Sequence, residues 1–262
     1  DFLTEGLVRY AVNVPSVSPE LFKILRPYLI LAEKLGSLQV QMADVLPQEV
    51  HVEYRGEVTQ YNIAPLTLAV LKGLLTPVME SSVNYVNAPI IAKERGIQVV
   101  ESKSSKAGDF SSSITVKIAT QDRAVEVEGA IFGDKHPRIV RVDNFYLEAA
   151  PEGYILILRN KDVPGVVGNV GTILGKNSIN IAGMELDGRT TAGDPRLFGL
   201  QVSIDPVRGR VLAALAAGEE HDAGLLRRYR ALEDAHRALA VARGRLEGHA
   251  LHDVKDLYVA EP

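Results

Sequence analysis

The chain has 262 residues, a formal net charge of −4 and a hydrophobic content of 46%. It is long enough for two domains of ordinary size, and its mild acidity gives no electrostatic reason to expect a nucleic-acid partner. The absence of cysteine excludes disulfides, iron–sulfur ligation and Cys-based zinc sites and fits a reducing, cytoplasmic setting; no apolar run reaches the roughly 18 residues of a membrane span.

The first residues, Asp1-Phe2-Leu3-Thr4-Glu5-Gly6, lack both an initiator Met and the basic start and apolar core of a signal peptide. The chain reads as cut from something longer. Residues 1–17 read as the end of a helix and an extended Ala11-Val12-Asn13-Val14-Pro15 segment. Ser18-Pro19-Glu20 then supplies an N-cap, a proline for the first turn and an early acid. The helix that follows places Leu21, Ile24, Leu25, Tyr28, Leu29, Leu31, Ala32 and Leu35 near one face. Pro27 is expected to bend it and Gly36 to end it.

Alternation replaces helical spacing from Glu49 onward. Val50, Val52, Tyr54 and Val58 are spaced as in a strand, with a turn or bulge at Arg55-Gly56-Glu57. Helices are predicted over 65–79 and 88–95, the second entered through Asn87-Ala88-Pro89. Four strands are predicted at 97–102, 113–120, 124–132 and 138–148. Residues 18–150 thus make one α/β unit of about 130 residues.

Pro151-Glu152-Gly153 reads as a linker into a second unit, 151–262. Its predicted order is strand 154–160, helix 164–176, strand 179–187, strand 197–204, a helix from about Val207, and a strand from Val254 to Val259. That is βαββαβ, the ferredoxin-like arrangement. Residues 218–250 fall outside this count. Leu225, Leu226, Tyr229, Leu232, Ala235, Leu239, Ala242 and Leu246 repeat at helical spacing there, so the segment reads as an inserted amphipathic helix. A basic amphipathic helix of this kind can touch a membrane or another protein, but a helical hairpin folded on its own subunit is the expectation. Glu247, His249 and His252 read as surface residues, not metal ligands.

The segment with most chemical content runs from Ile155 to Gly171. An apolar strand ends in Asn160-Lys161-Asp162-Val163, and a helix opens at Pro164. Val166, Val167, Val170, Ile173 and Leu174 share one face and are expected on the sheet. Gly165, Gly168 and Gly171 recur every third residue, a spacing that permits close approach to another backbone. A dinucleotide loop requires G-x-G-x-x-G, and Val167 occupies its second glycine position; no cofactor is expected here. A small amino acid is the other reading. First-turn N–H groups would hold its carboxylate, Asp162 its ammonium, and the Asn180 amide both. The plain alternative makes Asp162 an N-cap and Asn180 a turn residue. The receptor reading requires Asp162 near Asn180 and strand 154–160 beside strand 180–186.

Two groups of residues carry a family resemblance. Pro164-Gly165-Val166 followed by Ile179-Asn180-Ile181-Ala182-Gly183-Met184 resembles the ACT domain, an amino-acid-sensing module. Pro137-Arg138-Ile139-Val140-Arg141-Val142-Asp143, Pro151-Glu152-Gly153 and Arg159-Asn160-Lys161-Asp162-Val163-Pro164-Gly165 together resemble the C-terminal region of long-form D-3-phosphoglycerate dehydrogenases. Ala11 to Val17 is similar to that family's exit from its substrate-binding domain. Asn84-Tyr85-Val86-Asn87-Ala88-Pro89 with Ala92, Arg95 and Gly96 is similar to its intervening, allosteric substrate-binding domain.

The resemblance implies the regulatory half of an NAD-dependent enzyme that oxidises 3-phosphoglycerate in serine synthesis. The NAD-binding and catalytic residues would lie before Asp1, so this chain alone would bind no NAD and lack the redox step. It implies an L-serine effector at Asn160, Asp162 and Asn180, with backbone contributions from Val163, Pro164, Gly165 and Val166. Asn160 departs from the His or Tyr common in relatives. It also implies a homodimer or homotetramer paired through ACT domains. Arg138, with His136 and Arg141 on the same strand, is a candidate anion contact. Arg138 and Arg141 are three residues apart and are expected on opposite faces. Two rivals stand beside this reading: a ligand-free oligomerisation module, and the regulatory segment of an L-serine dehydratase.

Overall fold

A computed structural model describes residues 19–43, 46–79, 81–119, 124–133, 135–161, 164–176, 180–186, 195–203 and 256–260. The expected remnant at 1–17, the helix from Val207 and the insertion at 218–250 lie outside the described residues, as do Asp162, Val163, Glu247, His249 and His252. The chain is mixed α and β and divides into two units, Asp1–Pro151 and Glu152–Pro262.

In the first unit, six strands form one sheet. They are β1 (Glu49–Gly56), β2 (Gln98–Ser104), β3 (Ser112–Ala119), β4 (Ala124–Phe132), β5 (His136–Val142) and β6 (Phe145–Ala149), in the order β2-β1-β3-β4-β5-β6. Among the described residues of this sheet, only β1 and β2 pair in parallel. A parallel pair needs a crossover, and here it is made by helices α2 (Ala64–Leu75) and α3 (Ala88–Glu94). The alternation read in β1 sets the layers: Val50, Val52 and Tyr54 are buried, whereas His51 and Arg55 are exposed. In register, Val52, Val116, Val127 and Val142 form one row of the apolar face, the pleat placing every second residue on the same side.

Helix α1 (Pro19–Ala43) runs through Pro27 and does not stop at Gly36. The reason lies in its packing on α2. A Cβ at Gly36 would stand 2.2 Å from the Val70 carbonyl oxygen, and one at Gly73 would stand 1.9 Å from that of Glu33. Each glycine therefore lets one helix backbone touch the other, and contact outweighs the roughly 1 kcal/mol that a helical glycine costs. Lys72 of α2 pairs with Glu33 of α1 beside this crossing, and Tyr85 donates to the other Glu33 oxygen at 3.2 Å. Farther along α1, the fully buried Gln39 donates its amide to the carbonyls of Val116 and Val125, tying the helix to the sheet.

The run expected as one strand over 138–148 is two. Val142 pairs with Phe145, so Asp143 and Asn144 form a two-residue turn with Asp143 at φ 51°. The Asp143 N–H donates to the Glu126 carbonyl at 2.7 Å, and its carboxylate accepts from the Glu126 N–H at 3.0 Å. That local bonding is what allows a non-glycine residue the left-handed conformation.

The second unit contains β7 (Tyr154–Lys161), α4 (Val166–Lys176), β8 (Asn180–Leu186), β9 (Pro195–Ser203) and β10 (Asp256–Ala260). Its sheet order is β10-β7-β9-β8 with every pair antiparallel. Strand β9 thus lies between β7 and β8, correcting the expectation that these two are neighbours. Both run antiparallel to β9 and hence parallel to each other, joined by the α4 crossover. Helix α4 begins at Val166, not Pro164, and buries Val166, Val170 and Leu174. Val167 is 42% exposed instead of facing the sheet. A Cβ at Gly168 or Gly171 would meet nothing within 4 Å, so the glycine repeat serves no close backbone approach among the described residues.

Gly73→Ala and Gly171→Ala should therefore have opposite signs. The first is expected to destabilise its unit by about 2–3 kcal/mol or more through overpacking. The second is expected to stabilise by about 0.5–1 kcal/mol through helix propensity. Urea unfolding of the whole chain, with hydrogen exchange assigning each transition to a unit, measures both. Equal effects would refute the packing account.

Candidate functional site

The expected effector residues belong to the second unit. Pro164 and Gly165 form an exposed turn after β7, with Gly165 at φ +93°. The Gly165 carbonyl accepts the Asn169 N–H at 2.9 Å, so Gly165 is the N-cap and the first-turn N–H groups of α4 point out from the helix start. Such groups have no intrahelical partner and attract anions. The positive φ explains a glycine here: a Cβ in this conformation is strained even in open space.

Asn160 and Asn180 are not brought together within one chain. Asn160, at the end of β7, pairs with Arg196 on β9, while Asn180, exposed at the start of β8, pairs with Ser203. Those partners are seven residues apart on one strand, about 24 Å at ~3.4 Å per residue. The cause is directional. A helix that begins where β7 ends delivers the chain to the other end of the sheet before β8 starts. A receptor contained in one chain, which needs those two strands as neighbours, is therefore excluded, and a site using both residues would have to take them from two copies.

The same sheet bears on a dinucleotide. Pyrophosphate loops sit at the carboxyl ends of parallel strands. Here β7 has an antiparallel neighbour on each side, and Val167 stands at the close-approach position. The described residues of this loop do not fit NAD.

In the first unit, the candidate anion contact has a different geometry from that expected. Ile139 and Val140 together oppose Gly129, with Ala130↔Arg138 on one side of the irregularity and Glu128↔Arg141 on the other. This bulge shifts the alternation by one, so Arg138 and Arg141 share a face. Gly129 sits at the bulge because a Cβ there would be 2.5 Å from a Leu31 methyl.

Arg141 is fully engaged on that face. It reaches Glu126 at 2.6 Å, Glu128 at 2.9 Å and the Asp143 carbonyl at 2.8 Å. Burial would lower its pKa, but hydrogen bonds to the two carboxylates outweigh this and raise it above the usual arginine value. Arg138 lies 3.5 Å from Glu148 and donates to the Pro137 carbonyl at 2.9 Å. Arg55 and Glu53, paired at 2.9 Å, and Lys117 with Glu126 at 3.9 Å continue the ladder. No cluster of three or more His, Asp or Glu suited to a metal occurs among the described residues, and no described helix is long and apolar enough to cross a membrane.

Residues 24–143 match the D-3-phosphoglycerate dehydrogenase intervening domain family. The chain is 39% identical to D-3-phosphoglycerate dehydrogenase of Synechocystis over 187 residues, 71% of this chain and 34% of that one. It is 37% identical to that of Archaeoglobus fulgidus (70% and 34%) and 36% identical to that of Methanocaldococcus jannaschii (72% and 36%). The chain thus spans about a third of the length of the curated relatives it matches.

The ladder geometry separates the two arginines. Arg141→Met should cost about 1–3 kcal/mol, because it strands two partly buried carboxylates side by side. Arg138→Met should cost under about 0.5 kcal/mol, the scale of an exposed pair. Chemical denaturation at low and high salt tests this; equal losses for the two variants would contradict it.

Proposed function

We propose that the chain is the regulatory region of a D-3-phosphoglycerate dehydrogenase, because residues 24–143 match that enzyme's intervening-domain family. Its parent oxidises 3-phosphoglycerate with NAD in the cytosol, and the redox residues belong to another part of that parent. The second unit is an ACT domain that binds L-serine or a similar amino acid.

The observation that carries the reading is the order β10-β7-β9-β8, antiparallel throughout, with α4 crossing between β7 and β8. It is the strand order of a split βαβ fold, and it leaves a positive helix start at one sheet end and Asn180 at the other. A two-fold axis relating two copies sets the Asn180 of one beside the α4 entry of the other. Each effector then takes its carboxylate contacts from the Pro164-Gly165-Val166 turn, with Asn160 and Asp162 of the same chain and Asn180 of the second copy. Serine binding and pairing are one event in this scheme. The intervening-domain match favours the dehydrogenase over a serine dehydratase segment.

Titration calorimetry with L-serine tests the proposal together with the sedimentation behaviour of the whole chain. Asn180→Ala should weaken binding about tenfold, the loss of one or two hydrogen bonds to a charged ligand, and serine should shift the chain toward dimers. A stable dimer that gives no heat with serine would instead favour the ligand-free oligomerisation module.

A further inference from the structure

A cavity of about 580 Å³ opens at the β2 edge of the first unit, between α2, α3 and β2. Its size is within the range of small-molecule sites. The turn from α3 into β2 determines what lines it. Gly96, at φ +73°, donates its N–H to the Lys93 carbonyl at 3.1 Å, and Ile97 donates to Ala92 at 2.9 Å. This pair of bonds is the Schellman stop. It reverses the chain so tightly that Lys93, in the last helical turn, and Glu101, in the next strand, border the same space.

Glu101 occupies an unusual position. In register it pairs with Val52 and extends the valine row of the apolar face. Charges that point inward on edge strands often serve only to block edge-to-edge association. Glu101, however, is oriented by a buried relay. The Thr67 hydroxyl, in a residue only 7% exposed, donates to one Glu101 oxygen, and the fully buried Tyr54 lies 2.8 Å from Thr67. Thr67 has a single proton, committed to Glu101, so Tyr54 must donate to Thr67. Burial above all pushes the phenol pKa far up and keeps that proton in place. The second Glu101 oxygen has no hydrogen-bond partner among the described residues, and Lys93 has no ion pair among them.

We propose that this cavity binds a small zwitterion, an α-amino acid or dipeptide, separately from the β7–α4 loop. Glu101 and the remaining Thr67 lone pair hold the ammonium group. Lys93 holds the carboxylate, and Leu71, Ala92 and Ile97 face the apolar part. A volume of about 580 Å³ leaves room for a dipeptide. The site is completed within one unit and needs no second copy.

The test uses the whole chain carrying Asn180→Ala, which weakens the effector loop about tenfold without touching the cavity, so that binding lost on a further Glu101→Gln change belongs to the cavity. Calorimetry is run with glycine, L-serine, L-leucine, glycylglycine and alanylleucine, and with propylamine and propionate as single-charge probes. At least one zwitterion should bind, at least tenfold more tightly than either single-charge probe. Adding Glu101→Gln or Lys93→Met should weaken it at least tenfold. Glu101→Gln still accepts the Thr67 proton, so an unchanged unfolding midpoint certifies the fold, and ligand should slow hydrogen exchange over 88–101. No binding by any zwitterion, or binding that Glu101→Gln leaves unchanged, overturns the proposal and makes Glu101 an edge guard. If serine binds the parent chain but no zwitterion binds the Asn180→Ala chain, the effector-loop reading stands and this one fails.

Discussion

Contact between two helix backbones, at Gly36 on α1 and Gly73 on α2, is the constraint from which the first unit follows. With no side chains between them, both helices lie low enough to cover the same face of the sheet. The buried row of Val52, Val116, Val127 and Val142 is the sheet's half of that contact. Gly129 makes the same accommodation for Leu31, and the bulge beside it reorients β5. Charged residues take the other face, where Glu126 and Glu128 meet Lys117 and Arg141 across strands and Glu53 meets Arg55 within β1. The ladder of Glu53, Glu126 and Glu128 with Arg55, Lys117 and Arg141 is therefore a consequence of where the helices sit. Cross-strand pairs of this kind stabilise modestly and discourage like-charge registers.

In the second unit, strand direction is the governing constraint. The crossover through α4 returns β8 parallel to β7, and the space left between them admits β9. Everything at the end of β7 is then separated from everything at the start of β8 by the length of the sheet. An amino-acid receptor built from Asn160 and Asn180 is consequently a property of a pair of chains. In the proposed pairing that dependence would link ligand to assembly, since a ligand that binds only the paired state stabilises it by mass action.

Much of the fold was legible in the sequence because period and punctuation agree. Val50, Val52 and Tyr54 alternate and are buried; Pro89 opens α3 and Gly96 closes it. Gly36 misled because a glycine in a helical pattern reads as a stop when its packing partner, 34 residues away at Val70, is invisible. The hairpin at Asp143 was hidden because its turn is stabilised by Glu126 on another strand. The bulge that turns Arg138 and Arg141 to one face is also a pairing fact, absent from either strand alone. By contrast, the opposite placement of Asn160 and Asn180 was derivable from strand direction, and the expectation that set strand 154–160 beside strand 180–186 overlooked it. Glu101 left a weak signal, a charge following Ile97 and Val99 in the same phase, but Thr67 and Tyr54 come from other elements and could not be linked to it by spacing.

Arg141 and Glu101 show how structural and ligand-directed charges differ. Both sit within the sheet, and both touch oriented polar groups. Arg141 has spent its donors on two carboxylates and a carbonyl, so an incoming anion would have to displace bonds already made and pay for stranding Glu126 and Glu128. Glu101 has spent one oxygen on Thr67, and the bond fixes its direction without neutralising it. A cationic group meeting the second oxygen displaces only water. Satisfied charges hold strands in register, whereas a charge that is oriented but not neutralised retains free energy for something that arrives from outside. On that criterion the arginines of β5 belong to the architecture of the sheet, and the carboxylate at its edge belongs to the cavity.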